Sequence, residues 1–138
     1  MQRTVPVAGL GMSAKAAAPS CGVSMPAWCP NMALKAAGEY PGRVGVYNFR
    51  FLKPLDEEKL DEIARTHSAI LTVEDGALKG GLYSAVCEHL AACGASIRVE
   101  GIGVPDGFVA QARQSEQREA CGLSVSGITK SLKKLFGE

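Results

Sequence analysis

Residues 69–81 read Ala-Ile-Leu-Thr-Val-Glu-Asp-Gly-Ala-Leu-Lys-Gly-Gly. The first five, Ala69 to Val73, are almost wholly apolar and include β-branched residues, the composition of a strand covered on both faces. Glu74 to Gly81 reads as a loop, with two acidic turn residues and three glycines. A helix follows over about Gly81 to Ala92, placing Leu82, Ala85, Val86, His89 and Leu90 on or near one face.

The same alternation extends in both directions. Upstream, Val44 to Phe51 (VGVYNFRF) is a strand-like run rich in β-branched and aromatic residues, and Pro54 ends it. Asp56 is placed to cap the next helix. Glu57 and Glu58 lie in its first turn, where negative charge suits the helix dipole, and Leu60, Ile63 and Ala64 form its apolar stripe. Downstream, Ile97 to Ile102 is a third strand closed by Gly103 and Pro105. Helical stretches follow near Ser115–Ala120 and over Ser126–Phe136; in the second, Ile128, Leu132, Leu135 and Phe136 fall at i, i+4, i+7 and i+8. Strands joined by helical connections form a mainly parallel sheet, so the expected fold is a three-layer α/β/α domain. There is no internal repeat.

Residues 1–40 and 41–138 differ in character. No acidic residue occurs before Glu39, and Pro19, Pro26 and Pro30 interrupt an Ala-rich stretch. A short strand over Thr4–Ala8 and a helix over Asn31–Ala37, capped by Asn31, are the elements expected there, with irregular chain between them. The division expected is a divergent segment over 1–30 and a domain over 31–138.

The chain has 138 residues, enough for one core. Its 15 basic and 14 acidic residues give a net charge of +1, which offers no electrostatic case for nucleic acid or an anionic membrane. No apolar run reaches the roughly 18 residues of a membrane helix. The N-terminal stretch lacks the continuous apolar centre of a signal peptide. A cytoplasmic protein is expected. The five cysteines, Cys21, Cys29, Cys87, Cys93 and Cys121, include no C-x-x-C pair, and the histidines, His67 and His89, lie far apart. That pattern indicates reduced, mostly buried thiols and no metal site.

Motifs with chemical potential are few. Gly9-Leu10-Gly11-Met12-Ser13-Ala14 fits G-x-G-x-x-A, a dinucleotide turn or an ordinary strand-to-helix turn. The acidic residue that a ribose contact wants about 20 positions on is missing. Arg50 stands at the carboxyl end of an expected parallel strand, the edge where open α/β sheets bind ligands. Its planar fork suits a phosphate, although a surface ion pair is the other reading. Glycines 76, 80 and 81 allow either a close backbone approach or simply the turn. His67, between a helix and a strand, reads as a packing or capping residue. No catalytic constellation is present.

Four stretches resemble one family in order and spacing: Tyr47–Asp56 (YNFRFLKPLD), Leu71–Gly81 (LTVEDGALKGG) with Ser84-Ala85-Val86, Gly101–Phe108 (GIGVPDGF) and Cys121–Ile128 (CGLSVSGI). Together, over about residues 31–136, they resemble the third, C-terminal domain of the 1-deoxy-D-xylulose-5-phosphate synthases. The R-F-x-K-P-L-D element is shared loosely with transketolases and the β subunits of 2-oxoacid dehydrogenases, the alternative families. A non-catalytic interaction module reusing the fold is the remaining alternative.

The resemblance implies a five-stranded, mostly parallel sheet with one antiparallel strand. It also implies a parent transferase that condenses pyruvate with glyceraldehyde 3-phosphate, with loss of carbon dioxide, for isoprenoid, thiamine and pyridoxal phosphate synthesis. Thiamine diphosphate and magnesium would be held by two other domains, on the same chain or on a split partner chain, in a homodimeric enzyme. This chain would bind no cofactor and hold no catalytic residue, and alone it would be inactive. Arg50 would contact the phosphate of glyceraldehyde 3-phosphate, and the Gly80-Gly81 helix start would be structural or inter-domain. The sequence departs from the family at Gln111-Ala112, where His-Gly is usual, at Ser124, where Asp is usual, and over residues 10–30.

Overall fold

The computed structural model describes residues 29–138 in full and the backbone of residues 5–7, 21–24 and 28. In chain order the elements are β1 (Val5–Val7), β2 (Cys21–Ser24), α1 (Trp28–Ala37), β3 (Val44–Asn48), α2 (Glu57–Thr66), β4 (Ala69–Ala77), α3 (Leu82–Ala92), β5 (Arg98–Val104), α4 (Gln114–Ala120) and α5 (Val125–Phe136). The strands form one five-stranded sheet in the order β1-β3-β2-β4-β5, with β1 also pairing β4. The register explains that double pairing. Val5–Val7 lie against Val44–Val46, and Val7 against Leu71. Cys21 then also faces Val46, and Gly22–Ser24 continue along Thr72–Glu74. The two short strands therefore share one lane between β3 and β4, one behind the other.

β4 separates two cores. Ala69, Leu71 and Val73 pack with Cys29, Ala33 and Ala36 of α1 and Ile128 and Leu132 of α5. Ile70, one residue out of phase, packs with Phe49, with Leu60 and Ile63 of α2, and with Leu82, Val86 and Leu90 of α3. Successive strand side chains point to opposite faces, so a strand with helices on both sides must be apolar at every position. Of the two buried polar residues on β4, Thr72 and Glu74, Thr72 donates its hydroxyl to the Glu100 carbonyl at 3.4 Å.

Helix ends follow local chemistry. Asp56 accepts from the Lys59 N–H at 3.0 Å, as its N-cap position requires. Ser124 caps α5 by accepting from the Gly127 N–H at 3.1 Å, and Gly137 ends it in the left-handed region. α3 has glycine at its N-cap, so its cap comes from elsewhere. The buried Glu74 carboxylate accepts from the N–H groups of Leu82 and Tyr83 at 2.8 and 3.1 Å. Three glycines make room for this join. Among them, a Cβ on Gly103 would lie 2.9 Å from the Gly76 carbonyl oxygen, across the irregularity between Val73 and Ala77 where β4 and β5 change register.

Four expectations change. α1 starts at Trp28, not Asn31. Pro30 falls in its first turn, where a missing N–H breaks no helical bond. β2 lies within the stretch expected to be irregular. β4 continues past Val73 to Ala77 because β5 continues beside it, with Ala77 opposite Val104. Every described strand pairing is parallel, and the antiparallel strand implied by the resemblance is not among them. Helices return the chain between β3, β4 and β5, which keeps those strands parallel. The Gly9–Ala14 motif lies outside the described residues.

Candidate functional site

β3 ends at Asn48. Buried Phe49 anchors the next residue of chain in the α2/α3 core, and Arg50 emerges exposed directly after it. The carboxyl end of the strand thus delivers Arg50 to the sheet edge expected to meet ligands. A pocket of about 420 Å³ opens there, lined by residues 47–51 and 54–56 together with Lys59.

The pocket carries two cationic side chains, Arg50 and Lys59, and one carboxylate, Asp56. Arg50 has no carboxylate partner among the described residues, so the ion-paired alternative is not seen among them. Lys59 bonds to Glu62 and stands 5.9 Å from the Tyr47 ring centroid. Its pKa is raised, chiefly by the Glu62 hydrogen bond. Asp56 also lines the pocket, but one of its oxygens is held by the α2 cap. Both polar atoms of the Asn48 amide are buried without a hydrogen-bond partner among the described residues. Chemically, this arrangement can orient an oxyanion: a fork donor, an ammonium and an amide at one edge. None of its described lining residues is a serine, cysteine or histidine.

Asn48 and Lys59 were not singled out in the sequence. Asn48 lies inside the YNFRF run, and Lys59 sits on the first turn of α2, three residues beyond Asp56. Only the fold at Pro54 brings that turn back over the strand end. His67 caps α2, as expected: its backbone N–H donates to Ile63, and its Nδ1 lies 2.8 Å from the same carbonyl oxygen. The cysteines differ from expectation. Cys29 is buried, Cys87 and Cys121 are half-buried and Cys93 is exposed, because Cys93 stands at the open end of α3.

Two exposed aromatic residues share this edge. Phe51 follows Arg50, and Phe108 follows β5; they are 70% and 109% exposed. Between them, Lys79 and Asp106 form an exposed ion pair of 2.7 Å that links the loops after β4 and β5.

The described residues do not fit thiamine diphosphate. Activating that cofactor takes a free buried carboxylate, and the buried one here, Glu74, is occupied by two backbone N–H groups of α3. Magnesium takes oxygen ligands, whereas the described cluster of possible ligands contains imidazole and thiol. Among the described residues, no helix is long and apolar enough to cross a membrane.

A three-layer domain built on a parallel sheet is the class the fold defines. The chain belongs to the transketolase C-terminal domain family, whose pattern it matches over residues 29–128. Within that family it is similar to the 1-deoxy-D-xylulose-5-phosphate synthases. It is 42% identical to that of Bacteroides thetaiotaomicron over 100 residues, covering 72% of this chain and 16% of the relative. It is 46% identical to the Parabacteroides distasonis enzyme over 88 residues, covering 64% and 14%. With the Bordetella pertussis enzyme it shares 40% over 105 residues, covering 76% and 17%. The chain therefore spans about one sixth of the length of these relatives. Among solved structures it resembles a split-gene transketolase described as an inactive β4 tetramer, with a TM-score of 0.75 and 27% identity, covering 97% of this chain and 39% of that one.

Proposed function

We propose that this chain supplies the third domain of a 1-deoxy-D-xylulose-5-phosphate synthase. In this role Arg50 holds the phosphate of glyceraldehyde 3-phosphate, and the surrounding sheet edge docks on thiamine-binding domains. The observation that carries the reading is Arg50 itself, an exposed guanidinium at the carboxyl end of β3, beside the Asn48 amide and without a carboxylate partner among the described residues. Its contribution is orientation and charge complementarity, since a phosphate far from the reacting carbon is gripped rather than transformed. Thiamine diphosphate and a metal ion belong to the partner domains and supply the carbon–carbon chemistry, so the isolated chain turns nothing over. Phe51 and Phe108 supply apolar area for the docked face.

A split arrangement, with the cofactor domains on a second chain, is favoured by the similarity to a split-gene transketolase. Membership of a homodimeric, cytoplasmic enzyme goes with the same reading.

The test is complementation. The chain is mixed with a thiamine-binding two-domain partner that lacks its own third domain, and product from pyruvate and glyceraldehyde 3-phosphate is followed. Activity should appear on mixing. Arg50→Ala should lower kcat/KM for the phosphorylated substrate on the order of tenfold to a hundredfold, mainly through KM. Equal kinetics for Arg50→Ala and the unaltered chain would remove the phosphate role. A folded chain that never restores activity would favour a non-catalytic module or a transketolase or 2-oxoacid dehydrogenase partner instead.

A further inference from the structure

On the helical layer formed by α2 and α3, away from the edge that carries Arg50, a second chemistry is assembled. Asp61 lies on α2, one turn after Glu57. His89 and Cys93 are spaced i, i+4 at the end of α3, which puts them on one face. One ligand atom from each of Asp61, His89 and Cys93 lies within 4.8 Å of the others. His89 Nε2 is 2.7 Å from Asp61 Oδ1, and its Nδ1 is 3.8 Å from Glu57 Oε1.

We propose that Asp61, His89 and Cys93 bind a divalent cation of the zinc class, with a fourth coordination position left to water. The donor set carries the choice of ion. Imidazole nitrogen with thiolate sulfur suits zinc or cobalt and does not suit magnesium or calcium, which take oxygen. The size also fits. Ligand bonds of about 2.0–2.3 Å set tetrahedral ligand atoms about 3.3–3.8 Å apart, a separation that small side-chain rotations reach from the present positions. The imidazole is held in place: its side chain is 15% exposed, and Glu57 faces the ring nitrogen left over when Nε2 ligates. A carboxylate on the second imidazole nitrogen is the usual way to fix a ligating histidine. Access is open through exposed Cys93 and the half-exposed Asp61 carboxylate. The bound ion would add a tie between α2 and α3, which already share an apolar core and the Asp61–His89 hydrogen bond.

The test is a cobalt(II) titration of the full chain, kept reduced, followed by thiolate-to-cobalt charge-transfer absorption and by displacement with zinc. One cobalt per chain is expected, and zinc should raise the thermal midpoint because the three ligands converge only in the folded state. Cys93→Ser should abolish the charge-transfer band. His89→Gln and Asp61→Asn should each weaken binding at least about tenfold. Cys121→Ser, a thiol outside the cluster, should leave the band and affinity unchanged. Circular dichroism of each variant without metal separates loss of a ligand from loss of the fold, and the exposure of position 93 makes Cys93→Ser the variant least able to unfold the chain. No charge-transfer band in the unaltered chain overturns the site. So does a band that survives Cys93→Ser, or one lost equally in Cys121→Ser.

Discussion

The carboxylate of Glu74 occupies the place where a side chain on Gly81 would begin: a Cβ on Gly81 would stand 2.0 Å from Glu74 Oε2 and 2.5 Å from the carbonyl oxygen of Ala77. Gly81 has φ −96°, which any residue adopts, so space and not backbone angle demands glycine there. Its neighbour Gly80 has φ +81°, where the absence of a Cβ matters for the backbone itself. Adjacent glycines thus serve different ends, and both serve the join between β4 and α3.

Gly81→Ala should therefore destabilise the fold by about 1–3 kcal/mol, because the Ala77 oxygen is backbone and cannot swing aside. Glu74→Ala should cost a similar amount, about 1–3 kcal/mol, by leaving the Leu82 and Tyr83 N–H groups without their acceptor. Glu74→Gln keeps one carbonyl oxygen and should lose less. Urea unfolding followed by circular dichroism reads all three, and a Gly81→Ala midpoint equal to that of the unaltered chain would contradict the packing account.

The two faces of the α1/α5 layer should respond oppositely to truncation. Leu132 is fully buried against α1 and β4, so Leu132→Ala should cost about 2–5 kcal/mol. Leu34, on α1 but 56% exposed, should change stability by less than about 0.5 kcal/mol when made alanine. Equal losses at both positions would mean that α1 does not pack as described.

His67 should make the fold acid-sensitive. Its Nδ1–H donates to the Ile63 carbonyl, which leaves Nε2 buried without a partner among the described residues. Burial pushes its pKa below 6.5, outweighing the opposing pull of the Ile63 carbonyl and the Glu62 carboxylate. A histidine with a lowered folded pKa contributes stability that is complete above its unfolded value, near 6.5, and is lost as pH falls through the folded value. His67→Gln should flatten the loss of stability below about pH 6.5. Parallel stability–pH curves for the two proteins would show that another group governs the acid limb.

Thiol reactivity should separate Cys93 from Cys29. Burial, helped by the Asp75 charge, pushes the Cys29 thiol up to about 12, so almost no thiolate forms there at pH 8. Cys93 is exposed at the C-cap of α3. Brief treatment with iodoacetamide should alkylate Cys93 and spare Cys29 until urea unfolds the chain. Comparable labelling of both cysteines in the native protein would contradict the burial of α1.

Much of this was legible in the residue order. Ala69–Val73 announced a strand covered on both faces, and Ile128, Leu132, Leu135 and Phe136 announced the buried face of α5. Asp56 announced the start of α2. These signals are local: a period, a cap or a proline acts within a few residues of itself. The same reasoning put Arg50 at a strand's carboxyl end. By contrast, Glu74 read as a turn residue, because its role as the cap of α3 depends on the seven residues between it and Leu82 folding back. Lys59 joined the Arg50 pocket only through the bend at Pro54. Residues 21–24 carry little strand character of their own, and their place follows from the lane that β3 and β4 leave open beyond β1. The clearest case is Asp61 with His89. Separated by 28 positions, they meet because α2 and α3 bury their apolar stripes on the same face of the sheet. Local pattern determined which segments became helices and strands; the closing of the two cores decided which side chains from distant segments stand within bonding distance.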